Sequence, residues 1–361
     1  MYLKQISVVN FKNHLEANYS FSDTINCFTG SNGVGKTNVL DAIYYLSFSK
    51  SFFNSIDSHN INFAHDFFIV QGEYEVDDHS EKIYIGLKQG KKKTVKRNQK
   101  VYKRLADHIG LFPLVMVSPA DANLIIEGSE IRRKFIDGVI SQYDKVYLEN
   151  LMKYNKAVIQ RNALLKSFSE NQFFDQDSLD LWDMQMTQYA EPIYATRTQF
   201  LMDFIPVFQK YYELISGNKE EVSLSYISQL NDHSFESLFK ENLAAELRSA
   251  HTKVGIHKDD LEFLIDGHSV KKYGSQGQQK TYLLALKLAQ FEIIKNIKGK
   301  KPILLLDDIF DKLDSQRVKA LMKLVSDHNF GQIFISDTNS KRVIDLFDDI
   351  DIEPRVFEVV K

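Results

Sequence analysis

A glycine-rich stretch near the start of the chain has the composition of a phosphate-binding loop. Residues 30–37 fit the pattern G-x-x-x-x-G-K-[ST], and the loop consists of Gly30, Ser31, Asn32, Gly33, Val34, Gly35, Lys36 and Thr37. Glycines let the backbone turn so that successive N–H groups point at phosphate oxygens. The Lys36 ammonium can reach the β- and γ-phosphates of a nucleotide, and the Thr37 hydroxyl can hold Mg²⁺. The loop therefore predicts binding of ATP with Mg²⁺.

A second set of acidic residues follows an apolar run far along the chain. Residues 303–306 are Ile-Leu-Leu-Leu, typical of a parallel strand covered on both faces, and they lead into Asp307 and Asp308. In a protein with a phosphate-binding loop, such a strand delivers an acid to the Mg²⁺ beside the hydroxyl of Thr37. We predict that Asp307 binds Mg²⁺ through water and that Asp308 orients or deprotonates the attacking water. The alternative is that these acids merely end a strand.

A third stretch combines a serine, a glycine and two glutamines at the start of an apolar helix. Residues 275–278 are Ser275, Gln276, Gly277 and Gln278, and the apolar residues of 281–297 follow them. Ser275 and Gln278 stand as S-x-x-Q, which predicts a capping box and a helix that begins near Ser275. The free N–H groups of this helix offer a second place where a phosphate could dock. Taken locally, a plain helix cap explains the same residues.

The elements around the glycine loop have the order that this kind of site requires. Residues 24–29 form a short apolar stretch that suits a buried strand, and the apolar residues of 39–46 are spaced as on a buried helix. Strand, glycine loop and helix in this order are the context in which the pattern predicts a nucleotide site.

A basic run lies between the loop and the helical part of the chain. Residues 91–104 contain no acid and include Lys91, Lys92, Lys93, Lys96, Arg97, Lys100, Lys103 and Arg104. Asn98-Gln99 is typical of a hairpin tip. Clustered cations can track the phosphates of DNA, but a charged face can equally be only solvated. Both interpretations stay open from this run alone.

Composition excludes several classes of protein. With 361 residues, 43% apolar residues and 26% charged residues, the chain can form two or more packed units. The single cysteine, Cys27, rules out a disulfide framework and suits a reducing compartment. Neither an apolar leader nor a run of membrane-spanning length is present, so we expect a cytoplasmic protein. The net charge of −3 means that contact with nucleic acid must come from local patches.

Two long amphipathic stretches occupy the middle of the sequence. Apolar residues keep helical spacing over 130–168 and, more loosely, over 178–215. Neither stretch keeps a strict heptad repeat, so a helical lobe is favoured over a long coiled coil. We predict further strands at 222–227 and 261–265 and a helix at 235–250.

Together the three sets of site residues resemble the ABC-type ATPase heads. In that superfamily the serine-glycine signature of one subunit closes over the γ-phosphate held by the phosphate-binding loop of another. The resemblance implies that residues 275–278 act in trans and that Asp314 lies in a loop crossing a dimer interface. A site of this kind is complete only in a dimer.

More specifically, the chain resembles the RecF family nearly from end to end. Besides the site residues, the resemblance is carried by short segments at residues 10–13, 118–119, 132–137, 160–166, 181–183 and 255–261. It implies slow ATP hydrolysis, ATP-dependent dimerisation, and binding to double-stranded DNA near gaps or single-strand junctions. It also implies cooperation with RecR and RecO in loading RecA, within DNA repair, replication and the SOS response. Arg132, Arg133 and Arg161 become candidates for DNA contact beside the basic run, although Arg132 and Arg133 can equally be structural.

The sequence departs from the family pattern at several positions. Lys258 stands where arginine is frequent, which gives up a bidentate fork, and Lys12 stands where arginine is usual. The last apolar strand, 332–338, carries no histidine, so γ-phosphate sensing there is unassigned. Asp121 is only a weak candidate for the glutamine that usually contacts the metal.

These observations predict an α/β fold, namely an ABC-type ATPase head with an inserted, mostly helical lobe. We expect residues 1–120 with 281–361 to form the ATPase lobe and residues 121–280 to form the insertion. The competing functions are the ATPase subunit of a membrane transporter, an SMC-type chromosome-organising head, and a purely structural DNA binder. The last leaves unexplained why both halves of an ATP site are present.

Overall fold

The computed structural model describes residues 1–217, 220–309, 315–326, 330–347 and 353–360, which fold as two compact units. The first unit comprises residues 1–122, 210–219 and 275–361, and the second comprises 123–209 and 220–274. The predicted boundaries differ from these units because residues 121–122, 210–219 and 275–280 belong to the first one. The described helices are α1 (Lys36–Phe48), α2 (Asn123–Ile126), α3 (Ser129–Ile140), α4 (Lys145–Asn171), α5 (Gln176–Ser216), α6 (Phe235–Ser249), α7 (Val270–Tyr273), α8 (Gln276–Lys298), α9 (Ser315–Ser326) and α10 (Ser340–Phe347).

The strands form three sheets, two in the first unit and one in the second. In chain order they are β1 (Tyr2–Phe11), β2 (His14–Ser20), β3 (Ile25–Thr29), β4 (Phe67–Val76), β5 (His79–Lys88), β6 (Thr94–Arg97), β7 (Lys100–Val101), β8 (Leu114–Val117), β9 (Val222–Ile227), β10 (Asp260–Ile265), β11 (His268–Ser269), β12 (Ile303–Asp307), β13 (Ile333–Asp337) and β14 (Arg355–Glu358).

A five-stranded parallel sheet lies at the centre of the first unit. Its order is β14-β3-β13-β12-β8, so strands distant in sequence are neighbours. Every residue of β3, β12 and β13 is buried, as expected for parallel strands covered on both faces. Within this sheet Asp307 pairs in register with Ser336, and Asp337 pairs with Thr29. The carboxyl ends of three strands therefore meet beside the loop that leads into α1.

A six-stranded antiparallel sheet completes the first unit. Its order is β2-β1-β4-β5-β6-β7, and its apolar face shares one core with α1 and the parallel sheet. Side chains of β4 alternate between buried and mostly half-buried positions, which is the pattern of a sheet with one face on the core. The β6–β7 hairpin turns at Asn98 (φ 47°) and Gln99 (φ 69°), which confirms the predicted tip.

The second unit combines helices with a small sheet of order β11-β10-β9. The strand predicted at 222–227 and the helix predicted at 235–250 are both present. The helix predicted over 130–168 is instead two helices. The first, α3, ends at Ile140, and Asp144 caps the start of α4 by accepting a 2.8 Å hydrogen bond from the Tyr147 N–H. Within the part of the chain that the structure describes, no helix combines the length and apolar character needed to cross a bilayer.

We expect Gln332→Leu to destabilise the first unit by about 2–4 kcal/mol, because Gln332 joins its two sheets through buried hydrogen bonds. The Gln332 Nε2 donates to the carbonyls of Leu3 (2.8 Å) and Ser22 (2.7 Å), and Oε1 accepts from the Leu3 N–H at 2.7 Å. Urea unfolding measures the loss. Gln89→Leu, at an exposed position of the same unit, is the matched control. Equal unfolding midpoints for the two variants would contradict the bridging role.

We expect the stability of the second unit to fall as the pH drops from 7 to 5. Burial lowers the pKa of His257 from its ordinary value of 6.5 to about 4, with the nearby Lys258 lowering it further. Between these values the unfolded chain binds the proton and the folded chain does not, so acid favours unfolding by roughly 2 kcal/mol over this range. Urea unfolding at both pH values should show a smaller loss for His257→Gln than for the exposed His233→Gln. The same pH dependence in both variants would exclude His257 as the cause.

Candidate nucleotide-binding site

The glycine loop connects the buried strand β3 to α1 in a conformation that only glycine adopts freely. Gly30, Gly33 and Gly35 have φ angles of 142°, 82° and 117°. Gly35 also has no room for a side chain, since a Cβ there would lie 2.5 Å from the Asn13 side-chain nitrogen. The loop thus needs glycine for backbone conformation and, at Gly35, for close packing.

Two residues of the β1–β2 turn brace this loop, and sequence reasoning did not assign them to the site. Asn13 Nδ2 donates to the Val34 carbonyl at 2.7 Å, and its Oδ1 accepts from Asn38 Nδ2 at 2.6 Å. His14 Nε2 lies 3.1 Å from the Gly35 carbonyl oxygen, and burial lowers the pKa of its ring. Asn13 belongs to one of the short segments that carry the family resemblance, which was the available indication.

The Lys36 ammonium lies within the loop. Its Nζ donates to the carbonyls of Gly30 (2.8 Å) and Ser31 (3.1 Å), and the residue is only 4% exposed. The positive end of α1 begins at the same point, because α1 starts at Lys36. Backbone N–H groups, a helix terminus and an ammonium therefore concentrate positive potential where the loop would hold phosphates.

The structure brings Thr37 and Asp307 into contact across 270 residues of sequence. Thr37 Oγ1 donates to Asp307 Oδ1 at 2.8 Å, and Ser336 Oγ donates to the same oxygen at 2.7 Å. Ser336 was not identified from the sequence, yet it is the residue that Asp307 faces in the adjacent parallel strand. Its position at the carboxyl end of the strand beside β12 is the feature that could have identified it.

The oxygen atoms at this junction fit Mg²⁺. A hydroxyl and a carboxylate converge there, and Mg²⁺ takes one or two protein oxygens with phosphates and water completing its shell. Burial raises the pKa of Asp307 above its usual value, and the Asp308 carboxylate adds to this, against the hydrogen bonds from Ser336 and Thr37. A divalent cation would favour the ionised carboxylate.

Asp308 turns away from the strand that ends at Asp307. Its φ of 46° is in the left-handed region, and its N–H donates to Ser336 Oγ at 3.0 Å. Ser336 thus contacts both acidic residues and fixes the turn between them.

The 275–278 segment opens α8 as the sequence predicts. Ser275 is the N-cap; its side chain accepts from the Gln278 N–H (3.2 Å), and Gln278 Oε1 accepts from the Ser275 N–H (2.6 Å). Ser275 and Gln276 are exposed. A Cβ at Gly277 would meet only the Arg317 guanidinium, at 3.5 Å or more, which is an ordinary contact distance. The fold of the chain therefore does not require glycine at this position.

An arginine of α9 holds the first turns of α8. Arg317 Nε donates to the Thr281 hydroxyl at 2.5 Å, and that hydroxyl donates to the Gly277 carbonyl at 3.0 Å. Thr281 is fully buried. This connection ties the 275–278 segment to the helix that follows the acidic strand. It has no short-range sequence pattern, so sequence reasoning missed it.

Three further positions named in the sequence analysis are Asp314, Asp121 and Lys12. Asp314 lies outside the described residues. Asp121 is buried in an ion pair with Lys287 (2.6 Å) and also accepts from the Ser118 N–H. Lys12 pairs with buried Asp41 at 2.6 Å, with its ammonium 5.2 Å from the centre of the Phe53 ring.

The cations predicted to contact DNA from the basic run divide into two groups. Lys91 and Lys92 are exposed. Lys93 is 10% exposed and pairs with Asp57 at 2.6 Å, and Arg97 forms a bidentate pair with Glu81 at 2.6 and 2.8 Å. Lys96 lies 5.1 Å from the centre of the Tyr84 ring. The free charge of the hairpin is therefore smaller than the sequence suggests.

The three arginines of the second unit that were candidates for DNA contact also differ from one another. Arg161 is 0% exposed and is bound by Asp183 (2.5 Å) and Glu246 (2.7 Å), so it is a structural residue rather than a DNA contact. Arg132 forms a bidentate pair with Asp260 at 2.7 and 2.9 Å. Arg133 donates from Nη1 to the Asp259 carbonyl at 2.5 Å and is half-buried.

Comparison with known proteins identifies relatives over almost the whole chain. The sequence pattern of the family described as RecF/RecN/SMC N terminal domain matches residues 2–351. The DNA replication and repair protein RecF of Flavobacterium johnsoniae is 50% identical over 342 residues, which is 95% of this chain and 95% of the relative. The protein of the same name from Phocaeicola vulgatus is 50% identical over 361 residues, covering 99% of this chain and 96% of the relative.

Solved structures agree with the sequence comparison. A structure described as the recombination mediator protein RecF-ATP in the RecFOR pathway is 32% identical, with a TM-score of 0.89 over 99% of this chain and 95% of that chain. The Smc head domain of Pyrococcus furiosus, 17% identical with a TM-score of 0.55 over 94% of this chain and 90% of that one, shows the fold alone. The predicted α/β fold of an ABC-type ATPase head is confirmed. With its nucleotide loop, its acidic strand and this degree of identity, the chain belongs to the RecF family of ABC-type ATPases.

Proposed function

We propose that this chain binds ATP with Mg²⁺, dimerises around the nucleotide, and uses slow hydrolysis to control its hold on DNA during repair and recombination. The observation that carries the proposal is the 2.8 Å hydrogen bond between Thr37 and Asp307, because it unites both halves of an ATP–Mg²⁺ site in one folded chain. Support comes from a 32% identical relative whose structure is described as RecF-ATP. The roles of the individual residues follow from their positions.

Residues 30–37 bind the phosphates, with Lys36 neutralising charge on the β- and γ-phosphates. Thr37 and Asp307 hold Mg²⁺, with Asp307 acting through water. Asp308 orients the water that attacks the γ-phosphate and accepts its proton. Ser336 holds the Asp307 carboxylate and the backbone N–H of Asp308 through its two hydrogen bonds.

The 275–278 segment serves the nucleotide of a second copy. Its exposed Ser275 and Gln276 are available to a partner, and the capping box fixes the orientation of the first turn of α8. Gly277 is the informative residue, since glycine inside a helix costs about 0.5–1 kcal/mol relative to alanine and the chain itself has room for a side chain. Close approach of a phosphate from another subunit explains why glycine is present. Asp314 would lie at the same interface.

The partners that we propose are double-stranded DNA, single-strand junctions, and the RecR and RecO proteins, with RecA served indirectly. Relatives about 50% identical are named DNA replication and repair proteins, and a solved relative is placed in the RecFOR pathway. We also propose that the protein works in the cytoplasm, where its DNA substrate is found.

Two other functions share parts of this site. A transporter ATPase would need a membrane partner and would not retain duplex DNA in an electrophoretic shift assay. An SMC-type head would need long coiled-coil arms, whereas α4 has 27 residues and α5 has 41. The similarity to RecF proteins over at least 95% of the chain favours the repair function over both.

The central experiment measures mass by light scattering after size exclusion, with and without ATP and Mg²⁺. We expect the wild type to move from 41.8 kDa towards twice that mass with nucleotide, and Lys36→Met to remain monomeric because its loop lacks the ammonium that neutralises the phosphates. Lys4→Met, an identical change at an exposed position of β1, controls for loss of a surface charge. A wild type that stays monomeric in saturating ATP would refute the dimer proposal.

Gly277→Ala separates folding from assembly. We expect an unchanged or slightly higher melting temperature, since alanine favours the helix and its Cβ has space. We expect ATP-driven dimerisation to be strongly reduced while ATP still binds, because the methyl group blocks the approach of the partner's phosphate. Gly138→Ala in α3, where nothing lies within 4 Å of the added Cβ, should raise stability without affecting the dimer. Dimerisation of Gly277→Ala at wild-type ATP concentrations would show that the 275–278 segment is only a helix cap.

A further inference from the structure

In the turn formed by residues 253–260 of the second unit, the acidic side chains are paired with arginines and the basic side chains are not paired with acids of the described chain. Its acids and a nearby glutamate are each bound by an arginine. Asp259 Oδ2 pairs with Arg197 at 3.0 Å, Asp260 pairs with Arg132 at 2.7 Å, and Glu246 pairs with Arg161 at 2.7 Å. Arg161 and Arg197 are almost completely buried, so these pairs belong to the interior. The carboxylates of Asp259 and Glu246 are therefore buried and paired, whereas that of Asp260 is 34% exposed and is neutralised by Arg132.

The cations around the same turn do not form ion pairs of this kind with any described residue. Lys253 and Lys258 are exposed, and Arg133 is half-buried with its Nη1 on the Asp259 carbonyl. Among the residues that the structure describes, these three side chains have no carboxylate partner within ion-pairing distance. Acids act on them from farther away: Glu246 acts on Lys258, and Asp259, Asp260 and Asp137 act on Arg133. The surface of the turn is consequently positive in a chain whose net charge is −3.

The cations are close enough to repel one another. Burial lowers the pKa of Lys258, and the neighbouring Arg133 and Lys253 lower it further. Burial also lowers the pKa of Arg133, with a second contribution from Arg197. Like charges held close together are unfavourable, and an anion that binds between them relieves the repulsion.

The backbone presents these cations in a fixed arrangement. Gly255, with a φ of 119°, has no room for a side chain because a Cβ would meet the Tyr154 hydroxyl. Its N–H donates to Gln229 Oε1 at 3.0 Å, and its carbonyl accepts from the Lys258 N–H at 2.8 Å. A turn held in this way keeps Lys253 and Lys258 on a rigid support, which lowers the entropy cost of binding.

We propose that Arg133, Lys253 and Lys258 form a phosphate-binding surface through which the second unit contacts the backbone of duplex DNA. An acidic protein is a poorer fit, because Val254 and Ile256, the apolar residues of the turn, are 0% exposed and leave no apolar centre for a protein interface. Lysine suits this role, since it binds phosphate as a point charge without the fork of arginine. The surface deepens the DNA-binding part of the proposed function and rests on it.

The test compares the Lys253→Gln/Lys258→Gln double variant with wild type on a fluorescent duplex over a series of salt concentrations. Each lost phosphate contact lowers the slope of log affinity against log salt by about 0.9, so we expect a slope flatter by up to about 1.8 and weaker binding at low salt. Arg133 stays unchanged, because it also holds the turn. Lys166→Gln/Lys240→Gln, two exposed lysines of the same unit, removes the same charge and should keep the wild-type slope.

Thermal unfolding provides an independent readout. The double variant should melt at the same or a higher temperature at low salt, because it relieves repulsion, so reduced DNA binding cannot be attributed to misfolding. Equal slopes for the double variant and the wild type would overturn the inference, and binding of an acidic protein to this surface would not rescue it. The proposal that the protein binds DNA would remain intact. A wild type that binds no duplex DNA with or without ATP would overturn both.

Discussion

The contact among Thr37, Asp307 and Ser336 is the interaction on which the nucleotide site depends. It exists because β3, β13 and β12 are adjacent and parallel, so that their carboxyl ends meet at one edge of the sheet. A shift of one residue in the pairing of β12 with β13 would direct Asp307 away from Thr37. The buried apolar residues of these strands resist such a shift, since it would exchange the two covered faces. The packing that fixes the register of the central sheet therefore also fixes the positions of the site residues at its edge.

The phosphate-binding loop is held from outside as well as by its own glycines. Asn13 and His14 come from the turn between β1 and β2, and Gln332 fastens β1 to the parallel sheet. The antiparallel sheet thus helps to position the glycine loop. Arg317 serves the 275–278 segment in a similar way, by holding Thr281 and through it the first turn of α8.

The second unit uses its charges mainly to organise its interior. Arg161 and Arg197 are buried with carboxylates around them, and leaving either partner alone would cost several kcal/mol because a buried charge would lose its counter-charge. Such pairing keeps both the arginines and the acids largely buried, so neither contributes much charge to the surface. Arg133, Lys253 and Lys258, which take no part in these pairs, define the positive surface that we assign to DNA. Whether an arginine of this unit is available to DNA thus depends on whether a carboxylate packs against it.

The sequence by itself determined the parts of this protein that local chemistry controls. Residues 30–37, the apolar strand before Asp307 and the Ser275 capping box are short patterns, and each depends on neighbours within a few residues, so the fold class and the nucleotide loop could be predicted. The tertiary structure alone decided that Ser336 joins the two acids, that Asn13 and His14 brace the loop, and that Arg161 is buried. The break at residues 141–144 was also missed, because apolar periodicity continues through it while a single cap at Asp144 divides the helix. Apart from this break, these features depend on partners far away in sequence, and no local pattern shows which side chains the fold will bring together.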